Sequence, residues 1–325
     1  MNRVSKSKRE RKKEEKIRRK KHPIRNFFLF LLLIIIIISI VFYIKVQENG
    51  GGIQGALCTI LGLNVEDLEN LEPINVLLLG ISEDIDSKLT DTIIVCSYNP
   101  KTQNAYMISI PRDTFIGKKT SSAKGGDKIN TVYSKKGPEK LLDLVNDITG
   151  LNTRYYAVVN NKALIDIIDI IGGVYFDVPI NMDYDDPTQD LHIHLSKGYQ
   201  LIDGEKAEQL LRFRHNNDNT SYPSEYGDND FGRMKTQREF IKETINQTVK
   251  IENIFNSKKI IDSVFSNIET NLDKKDLYPY IPRAVEFDTN NIKNIQIPGE
   301  AQKYNNLWFF EYNKKETKKL LENIN

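Results

Sequence analysis

The chain has 325 residues, 28% of them charged, with two cysteines, four histidines and a formal net charge of +2; so few thiols exclude a disulfide-built scaffold and a cysteine metal centre. That near-neutral total hides a division, because residues 1–25 hold thirteen Lys or Arg against three acids, net +10, and the other 300 hold 33 basic and 41 acidic side chains, net −8. An acidic body excludes nucleic acid as its partner, and a basic tail beside an apolar run reads as a topology signal drawn to anionic membrane lipids.

Residues 27–44 read FFLFLLLIIIIISIVFYI without a charge, a helix of about 27 Å, enough for a bilayer core. The positive-inside rule puts residues 1–26 in the cytoplasm and the rest outside, in a plasma-membrane protein of one pass. A cleaved signal would have a shorter apolar region and a small-x-small site after it, and Leu57 stands before Cys58 where a lipoprotein would need a small residue. The span is therefore expected to be retained. Residues 45–72 read as a linker, with the flexible spacer NGGGIQG and a short helix over Leu57–Leu71. Residues 73–325 read as one folded body with a C-terminal extension, and about 280 residues beyond the span are enough for its core.

The body opens with INVLLLG at 74–80, an apolar run ended by glycine that reads as a central strand. Thr92–Tyr98 and Ala105–Ile110 are strands joined by the turn-like NPKTQN, hence a hairpin. Helical spacing then covers Pro138–Ile148, stopped by Gly150. Tyr155–Val159 is a strand, Lys162–Ile171 a helix and Val174–Val178 a strand. Residues 181–200 look irregular, Asp203–Leu211 a short helix, and Arg212–Asp230 a polar loop too hydrophilic for the core. The longest helix after the span runs Phe231–Ile251, with a stripe of Phe240, Ile241, Ile245 and Val249. Helices near Lys258–Ile268 and Lys274–Tyr280, a strand at Asn291–Ile297 and a helix after Asn313 complete the map. Alternating strands and helices predict an extracytoplasmic α/β/α sandwich, and the hairpin makes its central sheet mixed.

Charged residues collect at the ends of these elements: Asp91 in LTDT, Arg112 and Asp113 in IPRDT, Arg212 and Arg214 in LRFRH, Asp230 and Arg233 in DFGR. Strand ends and helix starts are where open α/β folds build ligand sites. Arginine forks hold phosphate oxygens, and Asp91 and Asp230 are oxygen ligands suited to Mg2+, with Mn2+ an alternative. Arg212 and Arg214 share a side only if Phe213 is extended. Spacing alone leaves ordinary surface ion pairs equally open. No phosphate loop, nucleophile elbow or zinc-protease helix occurs. His192 and His194 in LHIHL face one side of a β segment, but no third metal ligand is indicated; His22 lies in the tail, and His215 follows the arginine pair. Cys58 and Cys96 can form a bridge or act as two small apolar residues.

In order, INVLLLG, TDTIIV at 90–95, NPKT at 99–102, MISIPRDT at 107–114, KINTVY at 128–133, YYAVVN at 155–160, IDIIGG at 168–173, KGYQLIDGEKAEQLLRFRH at 197–215 and DFGRMKTQREF at 230–240 resemble the LytR-CpsA-Psr family of cell-wall glycopolymer ligases. The resemblance covers roughly residues 74–245. It implies a phosphotransferase that moves a glycopolymer, teichoic acid being one kind, from polyprenyl diphosphate to a peptidoglycan hydroxyl. It implies that Arg112, Arg212, Arg214 and Arg233 clamp diphosphate oxygens, that Asp91 and Asp230 hold Mg2+, and that Gln237, Lys128 and Asn130 line the pocket. Asp113 either accepts a proton or holds an arginine in place. Two departures stand out: Lys88 and Leu89 precede Thr90–Asp91 where an arginine is usual, and Thr236 precedes Gln237 where Arg is frequent. A lipid-linked glycan-binding protein and a membrane-tethered regulator are the alternatives.

Overall fold

The computed structural model describes residues 8–9, 23–84, 87–188, 191–227, 229–248, 257–285, 287–322 and 324. The chain divides into two compact units, Met1–Val65 and Glu66–Asn325. Most of the basic tail lies outside the described residues, as do Val249 and Ile251 of the expected long helix.

In the first unit, helix α1 spans Pro23–Glu48, longer than the expected 27–44 at both ends. Its segment Leu31–Glu48 has a mean hydropathy of 2.3 and is long and apolar enough to cross a membrane. The large side chains from Leu31 to Ile44 are exposed. NGGGIQG is not a spacer. Gly50, Gly51 and Gly52 all take left-handed φ values of 89°, 73° and 62°, which turn the chain directly into α2, Gly52–Leu61. Gly55 then sits so close to α1 that a Cβ would meet the Val46 carbonyl oxygen at 2.5 Å. The expected Leu57–Leu71 helix is instead α2 followed by α3, Val65–Glu69.

The second unit is built on six strands: β1 (Ile74–Asp84), β2 (Ser87–Asn99), β3 (Asn104–Ser109), β4 (Tyr155–Asn160), β9 (Glu269–Thr270) and β10 (Ile292–Gln296). Their order is β10-β3-β2-β1-β4-β9. β2 runs antiparallel to β1 and β3, while β1–β4 and β3–β10 are parallel, so the sheet is mixed as expected. Alternation along β1 explains its central place. Leu77 and Leu79 face a solid core with Ile93, Val95 and Ile108, closed by Leu141 and Val145 of helix α4 (Val132–Thr149), which is broken at Gly137 with φ 80° and ψ 173°, and Leu321 of the last helix, Lys314–Leu321. Gly150 ends α4 with φ 73°. Leu78 and Gly80 face the other way, toward α5 (Asn161–Ile170), α7 (Asn229–Thr248) and α8 (Ser257–Asn267), and here a cavity remains. Cys96, a thiol, packs on this side near Ile94 and Met107.

A second apolar cluster lies beside the sheet. The segment expected to be irregular holds three strands, β6 (Met182–Asp186), β7 (Leu191–Leu195) and β8 (Gly198–Ile202). β8 pairs with β5 (Val174–Val178), and β6 with β7. Met182, Ile193, Leu195, Val174 and Ile202 point inward and pack with Leu210 of α6, Gly204–Arg212. The loop after α6 also contributes core, contrary to its polar composition: Phe213 and Tyr222 are buried and meet edge to face at 5.4 Å. A hairpin of β11 (Gly299–Tyr304) and β12 (Leu307–Tyr312) was not anticipated either.

Gly232 on α7 fixes this loop against the helix, because a Cβ there would meet Tyr222 Cδ2 at 2.2 Å and the Gly227 carbonyl oxygen at 2.3 Å. Gly232→Ala is expected to destabilise the protein by about 1–3 kcal/mol through overpacking, measured by urea unfolding. An unchanged midpoint would show that the loop does not bear on the helix.

Candidate active site

The site forms where β1 and β2 leave regular pairing. Gly80 faces Thr92 and Ile81 faces Thr90, so the register skips Asp91. Such a bulge re-aims a side chain at a sheet rim, and Asp91 reaches the cavity mouth. Gly80 permits the close pairing, since a Cβ would lie 2.9 Å from that of Thr92. After β3, Pro111 opens a turn closed by the Thr114 amide on its carbonyl at 3.0 Å, and the Asn130 amide donates to the Arg112 carbonyl at 3.2 Å. Arg112 is thereby held facing Asp91, to which its Nη1 donates.

Arg212 ends α6, and Phe213 is extended with φ −61° and ψ 135°, so Arg212 and Arg214 both line the cavity as expected. Gln237 steadies this exit by donating to the Leu211 carbonyl at 3.1 Å. Asp230 lies in the first turn of α7, where the helix dipole favours a carboxylate. It contacts Arg233 Nη2 at 2.6 Å and Arg214 Nε at 3.4 Å. Glu208 binds Arg212 at 3.0 Å. The sequence reading missed that residue, although its place four before Arg212 on one helix signals the pair.

Electrostatics distinguish the arginines. For Arg112, burial lowers the pKa but is outweighed by Asp91, Asp230 and, from further off, Asp113, leaving it raised. Arg233 is nearly wholly buried, and burial together with Arg112 and Arg214 outweighs the two aspartates and lowers its pKa. Nε of Arg112, Arg214 and Arg233, and Nη2 of Arg233, find no aligned acceptor, nor does Asp230 Oδ1 find an aligned donor. Buried donors without acceptors are costly in a folded protein, and several converging on one mouth fit a multivalent anion. Two carboxylates supply only part of an oxygen shell, and phosphate oxygens and water complete the set that Mg2+ prefers. Asp91 and Asp230 are the residues here that could hold such an ion, although each also contacts an arginine.

Below this mouth the cavity measures about 580 Å³. Its walls are Leu78 and Val159 of the sheet, Leu164 and Ile167 of α5, Ile241 and Ile245 of α7, and Val264 of α8. Leu89 lines it where the usual arginine is absent. Thr236 is fully buried and shares a hydrogen bond with the Tyr226 hydroxyl at 3.1 Å. Tyr184 and His215 also line the cavity and meet edge to face at 5.4 Å; no motif pointed to Tyr184, because β6 was not foreseen.

Three expected residues stand apart. Asp113 accepts from Lys128 Nζ at 2.7 Å and also acts electrostatically on Arg112. Lys128 lies over the Phe309 ring at 5.6 Å. Asn130 is buried. None of the three is among the cavity-lining residues; they brace the turn that carries Arg112.

A sequence profile described as the LytR_cpsA_psr family matches residues 41–325. The chain is 28% identical over 249 residues, 75% of its length and 74% of the relative's, to the polyisoprenyl-teichoic acid–peptidoglycan teichoic acid transferase TagU of Bacillus licheniformis. It is 30% identical over 244 residues to the TagU of Bacillus cereus, covering 74% of this chain and 73% of that one. Among solved structures it is similar to TagV of B. subtilis, with a TM-score of 0.64 and 26% identity, over 78% of this chain and 96% of that one.

Pyrophosphate tests the arginine mouth directly. At a hundred times its dissociation constant it should stabilise the parent by about 2.7 kcal/mol, seen as a higher melting temperature. Arg214→Ala should lose most of that shift, and equal shifts in the two would place the anion elsewhere.

Proposed function

Because the chain belongs to the LytR-CpsA-Psr family, we propose that it transfers an anionic or secondary wall glycopolymer from polyprenyl diphosphate to a peptidoglycan hydroxyl. One observation carries this reading: Arg112, Arg212, Arg214 and Arg233 meet at the mouth of an apolar cavity beside Asp91 and Asp230. An amphiphile with a multiply charged head and a hydrocarbon tail matches both halves of that site.

The prenyl chain enters between the sheet and helices α5, α7 and α8, where burial of its surface contributes roughly 25 cal/mol per Å². The diphosphate rests against the arginine forks, and the sugars extend outward. The acceptor hydroxyl oxygen bonds to the phosphorus nearest the glycan while the bridging P–O bond breaks; the bridging oxygen leaves on polyprenyl phosphate, and the hydroxyl proton passes to the departing phosphate or to water. Arg112, Arg214 and Arg233 stabilise charge on the transferred and departing phosphates in a partly dehydrated setting. Asp91 and Asp230 would hold Mg2+, or Mn2+ in its place, whose contribution there is charge neutralisation. Asp91 and Asp230 also keep the guanidinium groups together before substrate arrives. Asp113 and Lys128 position the Arg112 turn.

We place α1 in the plasma membrane, with the basic tail in the cytoplasm near anionic lipids and the folded unit outside, where lipid-linked donor and wall acceptor are both within reach. The test is transfer itself. Purified full-length protein in detergent, with Mg2+, a lipid-diphosphate glycan and peptidoglycan, should yield polymer covalently bound to wall. Arg112→Ala and Arg214→Ala should each lower kcat by about 100-fold or more. Tight binding of the lipid without transfer, under conditions where a TagU relative is active, would favour the glycan-binding reading and sink the catalytic one.

A further inference from the structure

The outer face of the β6–β7 hairpin carries a set of side chains that the diphosphate site does not use. Register places His192 opposite Asp185 and His194 opposite Asp183. All four project outward, because Leu191, Ile193 and Leu195 alternate with the histidines and fill the core. His192 Nδ1 lies 2.5 Å from Asp185 Oδ1 and His194 Nε2 lies 3.4 Å from the same oxygen. One ligand atom each from Asp185, His192 and His194 can be drawn within 4.8 Å of one another.

From this geometry we propose that Asp185, His192 and His194 form a site for a borderline divalent transition-metal ion, Zn2+ being the probe. Ligands around tetrahedral zinc stand about 3.3 Å apart given Zn–N and Zn–O bonds of about 2.0 Å; the 3.4 Å separation already meets this, and the 2.5 Å one opens when a metal replaces the shared proton. Two imidazoles and one carboxylate suit zinc rather than Mg2+, which takes oxygen alone. Asp183 supplies the outer partner. It holds His194 Nδ1 at 2.8 Å, which fixes the proton on that nitrogen and frees Nε2 to coordinate, the carboxylate–histidine–zinc arrangement. Water fills the fourth position.

The ion would clasp two five-residue strands that form a sheet of their own, and an isolated pair of strands is marginal. The inner face of that hairpin contributes Tyr184 and Leu191 to the cavity wall. Its β6 amides at Asp183 and Asp185 donate to Asn216 and Asn217, each at 2.7 Å, just beyond Arg214. The clasp therefore stiffens the wall beside the arginines without touching them.

Untagged full-length protein in detergent, titrated with Zn2+ against a chromophoric chelator, should bind one equivalent. His192→Ala and His194→Ala should each weaken it by about 100-fold, and Asp183→Asn by about 10-fold, while His22→Ala leaves it unchanged. Co2+ bound to the parent should show the intense visible absorption of a four-coordinate ion. A parent that binds Zn2+ no more tightly than the His192→Ala/His194→Ala double variant, or Co2+ with only the weak spectrum of the hydrated ion, would overturn the proposal.

Discussion

Guanidinium groups repel one another, and this protein assembles several in one partly buried place. Asp230 touches both Arg214 and Arg233, and Asp91 accepts from Arg112. Each aspartate comes from a different break in regular structure: one from a strand bulge, the other from the first turn of a helix. The long loop between Arg214 and Asp230 must therefore be anchored, and its aromatic residues Tyr222 and Tyr226 anchor it in the second core. Those contacts bring together two parts of the charge cluster that sequence holds apart, so that Asp230 meets Arg214. Helix α7 shows the same demand. Its buried face includes Arg233, Thr236, Gln237 and Arg238 alongside Phe240, a polar interior that packing alone would never select.

Much of the central sheet was legible because its strands combine apolar runs with clear punctuation. INVLLLG, TIIV and YYAVV became β1, β2 and β4, though β1 runs on to Asp84 and β2 begins already at Ser87, and NPKTQN makes the hairpin between β2 and β3. The second core was less legible. Strands β6 to β8 are five residues each, and β6 and β7 are interrupted by Asp and His, so the alternation within MDYDD and LHIHL is short enough to pass for a loop. The turn at Gly50–Gly52 misled in the opposite sense, since glycine marks both a flexible linker and a left-handed turn, and only the approach of Gly55 to α1 decides between them.

For the charged residues, sequence identified the types and the structure shows their neighbours. Extension at Phe213 was a stated condition for Arg212 and Arg214 to converge, and the backbone meets it. Nothing in IPRDT distinguishes an aspartate that faces substrate from one that braces a turn. That depends on Lys128, fifteen residues later, which captures Asp113. The bulge at Asp91 was equally hidden, because a skipped residue in a strand pairing is a property of two strands and of neither alone.

The two faces of the sheet make sequence neighbours answer to different demands. Leu77 and Leu79 are sealed in solid packing, whereas Leu78 between them borders open space. Variation at Leu78 can reshape the cavity with little disturbance to folding, while the residues on either side are held to size. A one-residue slip in β1 would exchange the two roles at every position. The break beside Asp91 confines such a slip, so a shift on one side of it need not carry through to the buried pairs from Ile74 to Gly80.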